Sequence, residues 1–127
     1  KDKIDIIKTN RDIYVKLCQP ANALRTSKKI LSNDTISISK ILDSSILDIE
    51  VEQVNENLAN ARVKVYDKKS KMPLKGLRVS LFNKEKEIAS NQIGIESISF
   101  LDLKYGYYRF TLNKRGIYIG EISIFIK

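Results

Sequence analysis

Histidine and tryptophan are absent from this chain of 127 residues, which has one cysteine and two prolines. Without histidine the chain lacks the most common general base near neutral pH and the commonest nitrogen ligand of zinc or copper. The single cysteine, Cys18, excludes a disulfide within the chain and a cysteine-rich zinc site. No apolar run approaches the roughly 20 residues that a transmembrane helix needs.

The sequence also lacks the motifs that mark common catalytic sites. It has neither a Gly-rich phosphate loop nor a Gly-x-Ser-x-Gly nucleophile turn. Paired carboxylates could still support hydrolysis, and Asp48, Glu50 and Glu52 are the candidates. These three occupy every second position of one predicted strand, so they share one face of the sheet. The simplest interpretation is that this face is the solvated one. We therefore expect a protein that is not an enzyme, with no catalytic residues, no cofactor and no metal.

The net charge of +8 is unevenly distributed along the chain. Residues 1–60 carry nine basic and nine acidic side chains, whereas residues 61–127 carry fourteen basic and six acidic ones. Such asymmetry can mark a surface for nucleic acid or another anionic partner, and it can also serve solubility alone. Both explanations stay open at this point.

Apolar and polar residues alternate along most of the chain. Leu47, Ile49 and Val51 alternate inside a stretch, 41–59, that composition alone would allow as a helix. Period-two alternation places successive side chains on opposite faces of a sheet, so this stretch is predicted to be a strand. Residues 21–30 show no clean period and are interpreted as a loop with room for one helical turn. The pattern predicts an all-β fold, an antiparallel β-sandwich of immunoglobulin-like or prealbumin-like type with about seven to nine strands.

Three sequence elements in the second half match a known family. Pro-Leu-Lys-Gly-Leu-Arg-Val occupies 73–79, Ser-Asn-Gln-Ile-Gly occupies 90–94, and residues 100–108 have the spacing Phe-x-x-Leu-x-x-Gly-x-Tyr. In these elements residues 61–127 resemble the carboxypeptidase regulatory-like domain, a transthyretin-like sandwich related to collagen-adhesin B-type repeats. The resemblance implies that Tyr108 points into the core.

Two departures from the family pattern bear on what the resemblance implies. Asn91 stands where the family usually has Asp, and Leu77 stands where it has a small residue. Relatives in the adhesin branch often carry a Lys–Asn isopeptide bond with a catalytic acid, but residues 111–116 lack the expected Glu. We therefore expect no such bond, and Lys64 is interpreted as an exposed strand residue. Residues 1–60 resemble no family and are predicted to be a β segment that packs with or extends the same sandwich.

Two sets of residues are candidates for interaction. The first is a basic surface interleaved with tyrosines, and such a surface can hold single-stranded nucleic acid by charge and stacking. Its predicted members are Arg62, Lys64, Tyr66, Arg78, Tyr107 and Arg109. The second is a terminal strand that could complete a neighbouring subunit's sheet or, alternatively, lie inside its own sandwich. Its predicted members are Ile122, Ile124, Phe125 and Ile126.

The sequence thus predicts a non-enzymatic structural or adhesive module, and its filament-forming or lattice-forming variant would assemble with copies of itself. The expected location is the cell surface or the extracellular space, with a leader already removed, and the cytoplasm is the alternative location. The expected partner is a protein or a second copy of the chain. A small basic nucleic-acid-binding protein is the alternative function. A carbohydrate-binding module is a further alternative, which the lack of tryptophan disfavours.

Overall fold

The computed structural model describes the backbone of residues 3–8, 14–19, 26–32, 35–93 and 97–127, and the side chains of residues 35–93 and 97–127. Every regular element in these ranges is a β-strand. The strands are β1 (Lys3–Lys8), β2 (Tyr14–Gln19), β3 (Thr26–Ser32), β4 (Thr35–Ile41), β5 (Ser45–Gln53), β6 (Leu58–Asp67), β7 (Arg78–Asn83), β8 (Lys86–Gln92), β9 (Ser97–Lys104), β10 (Gly106–Lys114) and β11 (Ile117–Ile126).

The strands form two sheets in which every neighbouring pair is antiparallel. The six-stranded sheet has the order β1-β2-β11-β10-β7-β8, and the five-stranded sheet has the order β3-β4-β5-β6-β9. Eight strands, β4 to β11, lie within the region whose side chains are described, in agreement with the predicted seven to nine. Strands β1 to β3 extend the two sheets further. The predicted all-β, antiparallel sandwich is confirmed.

The core lies between the inner faces of the two sheets and is rich in isoleucine. Along β5 the side chains alternate between buried and half-buried, as do most of those along β6. Phe100 of β9 and Phe110 of β10 meet edge to face across the interior, with ring centroids 6.0 Å apart. Seven of the eleven largest fully buried side chains are isoleucines: Ile36, Ile38, Ile49, Ile93, Ile122, Ile124 and Ile126. Their β-branched side chains suit a pleated surface, so composition and fold agree.

The ambiguous stretch 41–59 is resolved as predicted. Leu47, Ile49 and Val51 are buried on the inner face of β5, and residues 54–57 form the turn into β6. Strand β6 crosses residue 60, where the sequence suggested dividing the chain. That division into 1–60 and 61–127 stays a prediction.

The interpretation of residues 21–30 as a loop is wrong for its second half, because β3 begins at Thr26. This strand pairs with β4 from Thr26 opposite Lys40 to Ser32 opposite Thr35. It lies at the edge of its sheet, where lysines and polar residues are common and an apolar alternation is not required. Residues 21–25 lie outside the described part of the chain.

The hairpin between β9 and β10 contains the buried tyrosine that was predicted at its second strand. Tyr108 is buried beside Phe110 and Leu112, as predicted. Its hydroxyl donates to the carbonyl oxygen of Lys104 at 2.5 Å, which ties the start of β10 to the end of β9. A buried tyrosine that bonds back to the backbone a few residues earlier is also found at strand corners of immunoglobulin-like sandwiches.

The last strand is used inside its own sheet. Strand β11 lies between β10 and β2, and Ile122, Ile124 and Ile126 are buried in the core. Phe125 lies on the opposite, outer face, opposite Tyr107 in register. The structure thus places these residues inside their own sheet, and their use as a donated assembly strand, which would remove three fully buried isoleucines from the subunit's core, stays a prediction.

Two isoleucines of β11 allow a direct test of its role. Ile124 is fully buried and Ile117 is 69% exposed. We expect Ile124→Ala to lower the free energy of unfolding by about 2–5 kcal/mol, since it leaves a cavity, and Ile117→Ala to change it by less than about 0.5 kcal/mol. Urea denaturation of both variants measures the difference. Equal, small effects would contradict a core position for β11.

The tyrosine pair at the start of β10 provides a second test. We expect Tyr108→Phe to cost about 0.5–1.5 kcal/mol of unfolding free energy, because the hydrogen bond from the Tyr108 hydroxyl to the carbonyl of Lys104 is lost. The control is Tyr107→Phe, the same substitution at a neighbour whose side chain is 51% exposed. Thermal unfolding should separate the two variants, and identical midpoints would show that the hydrogen bond contributes nothing measurable.

Candidate functional site

The six residues predicted to form one basic surface lie on opposite sides of the sandwich. Arg62, Lys64 and Tyr66 lie on the outer face of β6, in the five-stranded sheet. The other three lie on the outer face of the six-stranded sheet, at Arg78 of β7 and at Tyr107 and Arg109 of β10. The prediction of a single surface is therefore corrected. Strand alternation shows which side chains point outward, but it does not show to which sheet a strand belongs.

The outer face of the five-stranded sheet carries a compact charge network. Arg62 donates a hydrogen bond to the Glu50 carboxylate, and the Nζ atom of Lys64 lies 3.5 Å from its other oxygen. Burial alone would raise the pKa of Glu50, but the Arg62 hydrogen bond and the charges of Lys64 and Arg62 together hold it below its usual range. One carboxylate thus engages both predicted cations of this face.

The neighbouring carboxylate on β5 has its own partners. Asp48 Oδ1 accepts hydrogen bonds from the hydroxyls of Ser37 and Ser39, at 2.9 and 3.0 Å. Asp48, Glu50 and the exposed Glu52 all lie on the outer face, as the interpretation of a solvated face predicted. This face is a network of cross-strand polar pairs, which stabilises a sheet locally.

The outer face of the six-stranded sheet differs because aromatic rings lie on it. Tyr107 of β10 and Phe125 of β11 are cross-strand partners whose rings stack, with centroids 4.3 Å apart and planes inclined by 27°. Stacking of two aromatic rings contributes more to stability than the burial of their surface area alone. Half of the Tyr107 surface nevertheless stays exposed. A stacked aromatic pair with one exposed ring, that of Tyr107, is therefore presented at the surface.

A contact between a cation and an aromatic ring lies directly beside this pair. The Arg109 guanidinium lies over the Phe82 ring of β7, with Cζ 4.4 Å from the ring centroid. Its Nη1 atom lies 3.7 Å from a Glu121 carboxylate oxygen, and the Tyr118 hydroxyl donates to the same oxygen at 3.1 Å. The arginine is thus held flat against the sheet between an aromatic face and a carboxylate. We call Phe82, Tyr107, Arg109, Glu121 and Phe125 the aromatic patch.

A shallow depression of about 210 Å³ opens in the patch, between the β7–β8 turn, the start of β10 and the second half of β11. It is lined by Phe82, Lys84, Glu85, Tyr107, Tyr108, Arg109, Ser123 and Ile124. Its walls combine apolar rings with charges of both signs. Surfaces of this composition, with tyrosine, phenylalanine and arginine near the centre, are typical of protein–protein contacts.

Two members of the patch, Tyr107 and Arg109, were predicted from the sequence as part of the basic surface, whereas Phe82 and Glu121 were not. Phe125 was singled out only for the assembly strand. One signal for Phe82 was available, since two large apolar residues in succession, Leu81 and Phe82, cannot both face the core of one strand. Glu121 gave no signal of its own, because its role depends on the position of Arg109 on the neighbouring strand.

Within the described side chains, no three His, Cys, Asp or Glu residues lie where they could share a metal ion. The part of the chain that the structure describes contains no helix able to cross a lipid bilayer. No protein-family model, no curated protein and no solved structure matches this chain. The resemblance of residues 61–127 to a family therefore stays a proposal, whereas the two-sheet fold rests on the structure itself.

The charge network predicts an acid-dependent contribution to stability. Because the pKa of Glu50 is lower in the folded chain, its ion pairs stabilise the fold at neutral pH, and this contribution is lost as pH falls through the folded pKa. We expect Glu50→Gln to cost about 0.5–1 kcal/mol near pH 7 and progressively less as the pH falls through the folded pKa of Glu50. Urea unfolding over a series of pH values below 7 measures this. The control, Glu56→Gln in the exposed β5–β6 turn, should show no such pH dependence.

Proposed function

We propose that this chain is a non-enzymatic structural or adhesive module of the cell surface or extracellular space, which assembles with a second copy of itself through the aromatic patch. The observation that supports the proposal most directly is the Tyr107–Phe125 stack beside Arg109 on an outer sheet face. The solvated face of an antiparallel sheet is ordinarily polar, as most of the opposite face of this sandwich is apart from the exposed Leu101. Aromatic rings on such a face favour an interface.

The geometry of the patch suits a partner that buries it. Tyrosine and arginine are the residues most often found at the energetic centre of protein interfaces, because each offers a large contact area and a polar group. Arg109 is already fixed between Phe82 and Glu121, so little side-chain entropy remains to be lost when a partner covers it. Tyr107 is positioned in the same way by Phe125.

The charges of the patch favour a second copy as that partner. Arg109 and Glu121 lie side by side, so the patch carries both signs within one small area. In a two-fold symmetric contact the same surface meets itself, and each cation can then approach the partner's carboxylate. Assembly through this face leaves β11 inside its own sheet. Because a two-fold contact closes on itself, this assembly is a dimer, and a filament or lattice would need a further contact.

The location outside the cell follows from the proposed kinship of residues 61–127 with carboxypeptidase regulatory-like and transthyretin-like sandwiches. Two features support this kinship. Gly76 has a φ of 75°, a conformation that favours glycine at the turn before β7, and Tyr108 is buried at the start of β10. Both positions belong to the sequence elements on which the resemblance depends.

Binding of single-stranded nucleic acid across the sheet faces has weaker support. Arg62 and Lys64 share one carboxylate, Glu50, and Arg109 lies beside another, Glu121. The phosphate groups of a nucleic acid would have to compete with these two carboxylates for the basic side chains. The two groups of basic residues also lie on opposite faces, so they do not form a continuous track. A carbohydrate-binding role has no further observation in its favour.

Sedimentation velocity over a range of protein concentrations tests the proposed assembly. We expect the unaltered chain to associate reversibly, and Tyr107→Ser and Arg109→Ser to weaken the association by about tenfold or more, as loss of a central interface residue does. The matched control is Tyr66→Ser, which removes a tyrosine from the opposite face. A chain that stays monomeric at the highest concentration, or an association that depends on Tyr66 and not on Tyr107, would contradict the proposal.

A further inference from the structure

Several turns meet at one end of the sandwich. The β4–β5 turn (42–44) adjoins the β6–β7 segment (68–76), since the backbone N–H of Lys68 donates to the carbonyl of Ser44. The β10–β11 turn reaches the same end from the other sheet, because Asn113 pairs with Arg78 at the start of β7. The two sheets are also joined near this end by Lys40, whose Nζ donates to the Glu121 carbonyl at 2.8 Å.

This end, which we call the basic end, is strongly cationic. Asp43 is the one carboxylate in the three described segments 42–44, 68–76 and 114–117. Asp67, at the end of β6, is engaged by the backbone N–H groups of its own turn. The exposed basic residues of the same segments are Lys68, Lys69, Lys71, Lys75, Lys114 and Arg115.

The opposite end of the sandwich provides a contrast within the same molecule. Its described turns, 54–57, 84–85 and 104–106, carry Lys84 and Lys104 together with Glu56 and Glu85, so their charges balance. The excess positive charge is therefore concentrated at one end and is not a general property of the turns. Charge that serves solubility alone would not need this concentration.

Apolar side chains project from the basic end among the cations. Met72 is 63% exposed in the β6–β7 segment, and Ile117 is 69% exposed directly after the β10–β11 turn. Tyr118, beside Ile117, is 57% exposed. These are the three most exposed large apolar or aromatic residues of the described chain apart from Leu101. Exposed apolar residues cost solubility when they serve no contact, so their grouping at one end indicates a binding surface.

We infer that the basic end docks onto a membrane surface that carries anionic lipid headgroups. Lysine and arginine near such a surface are attracted by its negative potential, and each raises binding by about fivefold. Aliphatic side chains among them can enter the boundary between headgroups and acyl chains, which adds an attraction that salt does not screen. Both components are present at this end, and both come from turns, which can approach a flat surface without strain on the sheets.

A nucleic acid would satisfy the cations but would not explain the aliphatic residues. Proteins that bind single strands without sequence preference place several aromatic rings along a basic groove. The described residues of the basic end expose one ring, Tyr118, together with Met72 and Ile117. The mixture of aliphatic and basic residues therefore favours a lipid surface over a polynucleotide.

This inference does not depend on the aromatic patch. Tyr107 pairs with Phe125 in the half of the six-stranded sheet that lies away from the β10–β11 turn. A molecule docked by its basic end would hold the patch away from the lipid, where a second copy could reach it. Either surface can therefore be shown to be wrong while the other stands.

Co-sedimentation with large unilamellar vesicles tests the inference. The vesicles are pure phosphatidylcholine, or roughly three parts phosphatidylcholine to one part phosphatidylglycerol, a composition that supplies the anionic surface. We expect at least about tenfold stronger binding to the anionic vesicles. The triple variant Lys69→Gln, Lys75→Gln, Lys114→Gln should lose about tenfold or more of that binding. The control triple variant Lys84→Gln, Lys86→Gln, Lys104→Gln removes the same charge outside the basic end and should bind nearly as the unaltered chain does.

A second variant separates a lipid surface from a polyanion. Met72→Ser with Ile117→Ser keeps every charge, and it should abolish the part of vesicle binding that persists at about 0.5 M salt, where charge interactions are largely screened. A single-stranded oligonucleotide measured by fluorescence anisotropy is the competing probe. The inference is overturned if the vesicles bind without preference for anionic lipid, if both triple variants lose binding equally, or if the oligonucleotide binds more tightly than the vesicles and the serine variant is unaffected.

Discussion

Phe110 of β10 meets Phe100 of β9 across the interior, and isoleucines from both sheets fill the space around this contact. Burial of these two inner faces against each other is the constraint on which the rest of the structure depends. It fixes the orientation of each strand, because a strand with one apolar face can lie in the sandwich in only one way. Once the apolar side chains of a strand are buried in the core, the side chains between them must lie on the outer face of the same sheet.

The two outer faces that result have different chemistry. On the five-stranded sheet, hydroxyls, carboxylates and cations bond across neighbouring strands, with Glu50 at the centre of the network. On the six-stranded sheet, Arg109 is held between the Phe82 ring and Glu121, next to a stacked aromatic pair. A face whose polar groups satisfy one another offers a partner little, whereas positioned rings still have apolar surface to bury. This difference places the proposed protein contact on the six-stranded sheet.

The connections between the sheets give the molecule a polarity along its strands. Lysines and exposed aliphatic residues collect where the β6–β7 segment crosses from one sheet to the other and where β10 turns into β11. The Tyr107–Phe125 pair of the aromatic patch lies toward the other end, whereas Glu121 of the patch lies nearer the basic end, where the Tyr118 hydroxyl bonds to it. The stacked rings and the lysine cluster are thus at different ends of the strands. One molecule could then contact a lipid surface at one end and a copy of itself near the other.

The sequence by itself determined that the chain is built from strands and which side chains each strand buries. Leu47, Ile49 and Val51 are all buried as predicted, because alternation is a local property of the chain. It could not assign β3, since an edge strand needs no apolar alternation. Only the tertiary structure decided which strands share a sheet, and that choice separated Arg62 from Arg109 and brought Phe82, Arg109 and Glu121 together. The physical reason is that strand pairing brings together residues that are distant in sequence. Which strands pair depends on how the whole core is buried, and this is not a local property of the chain.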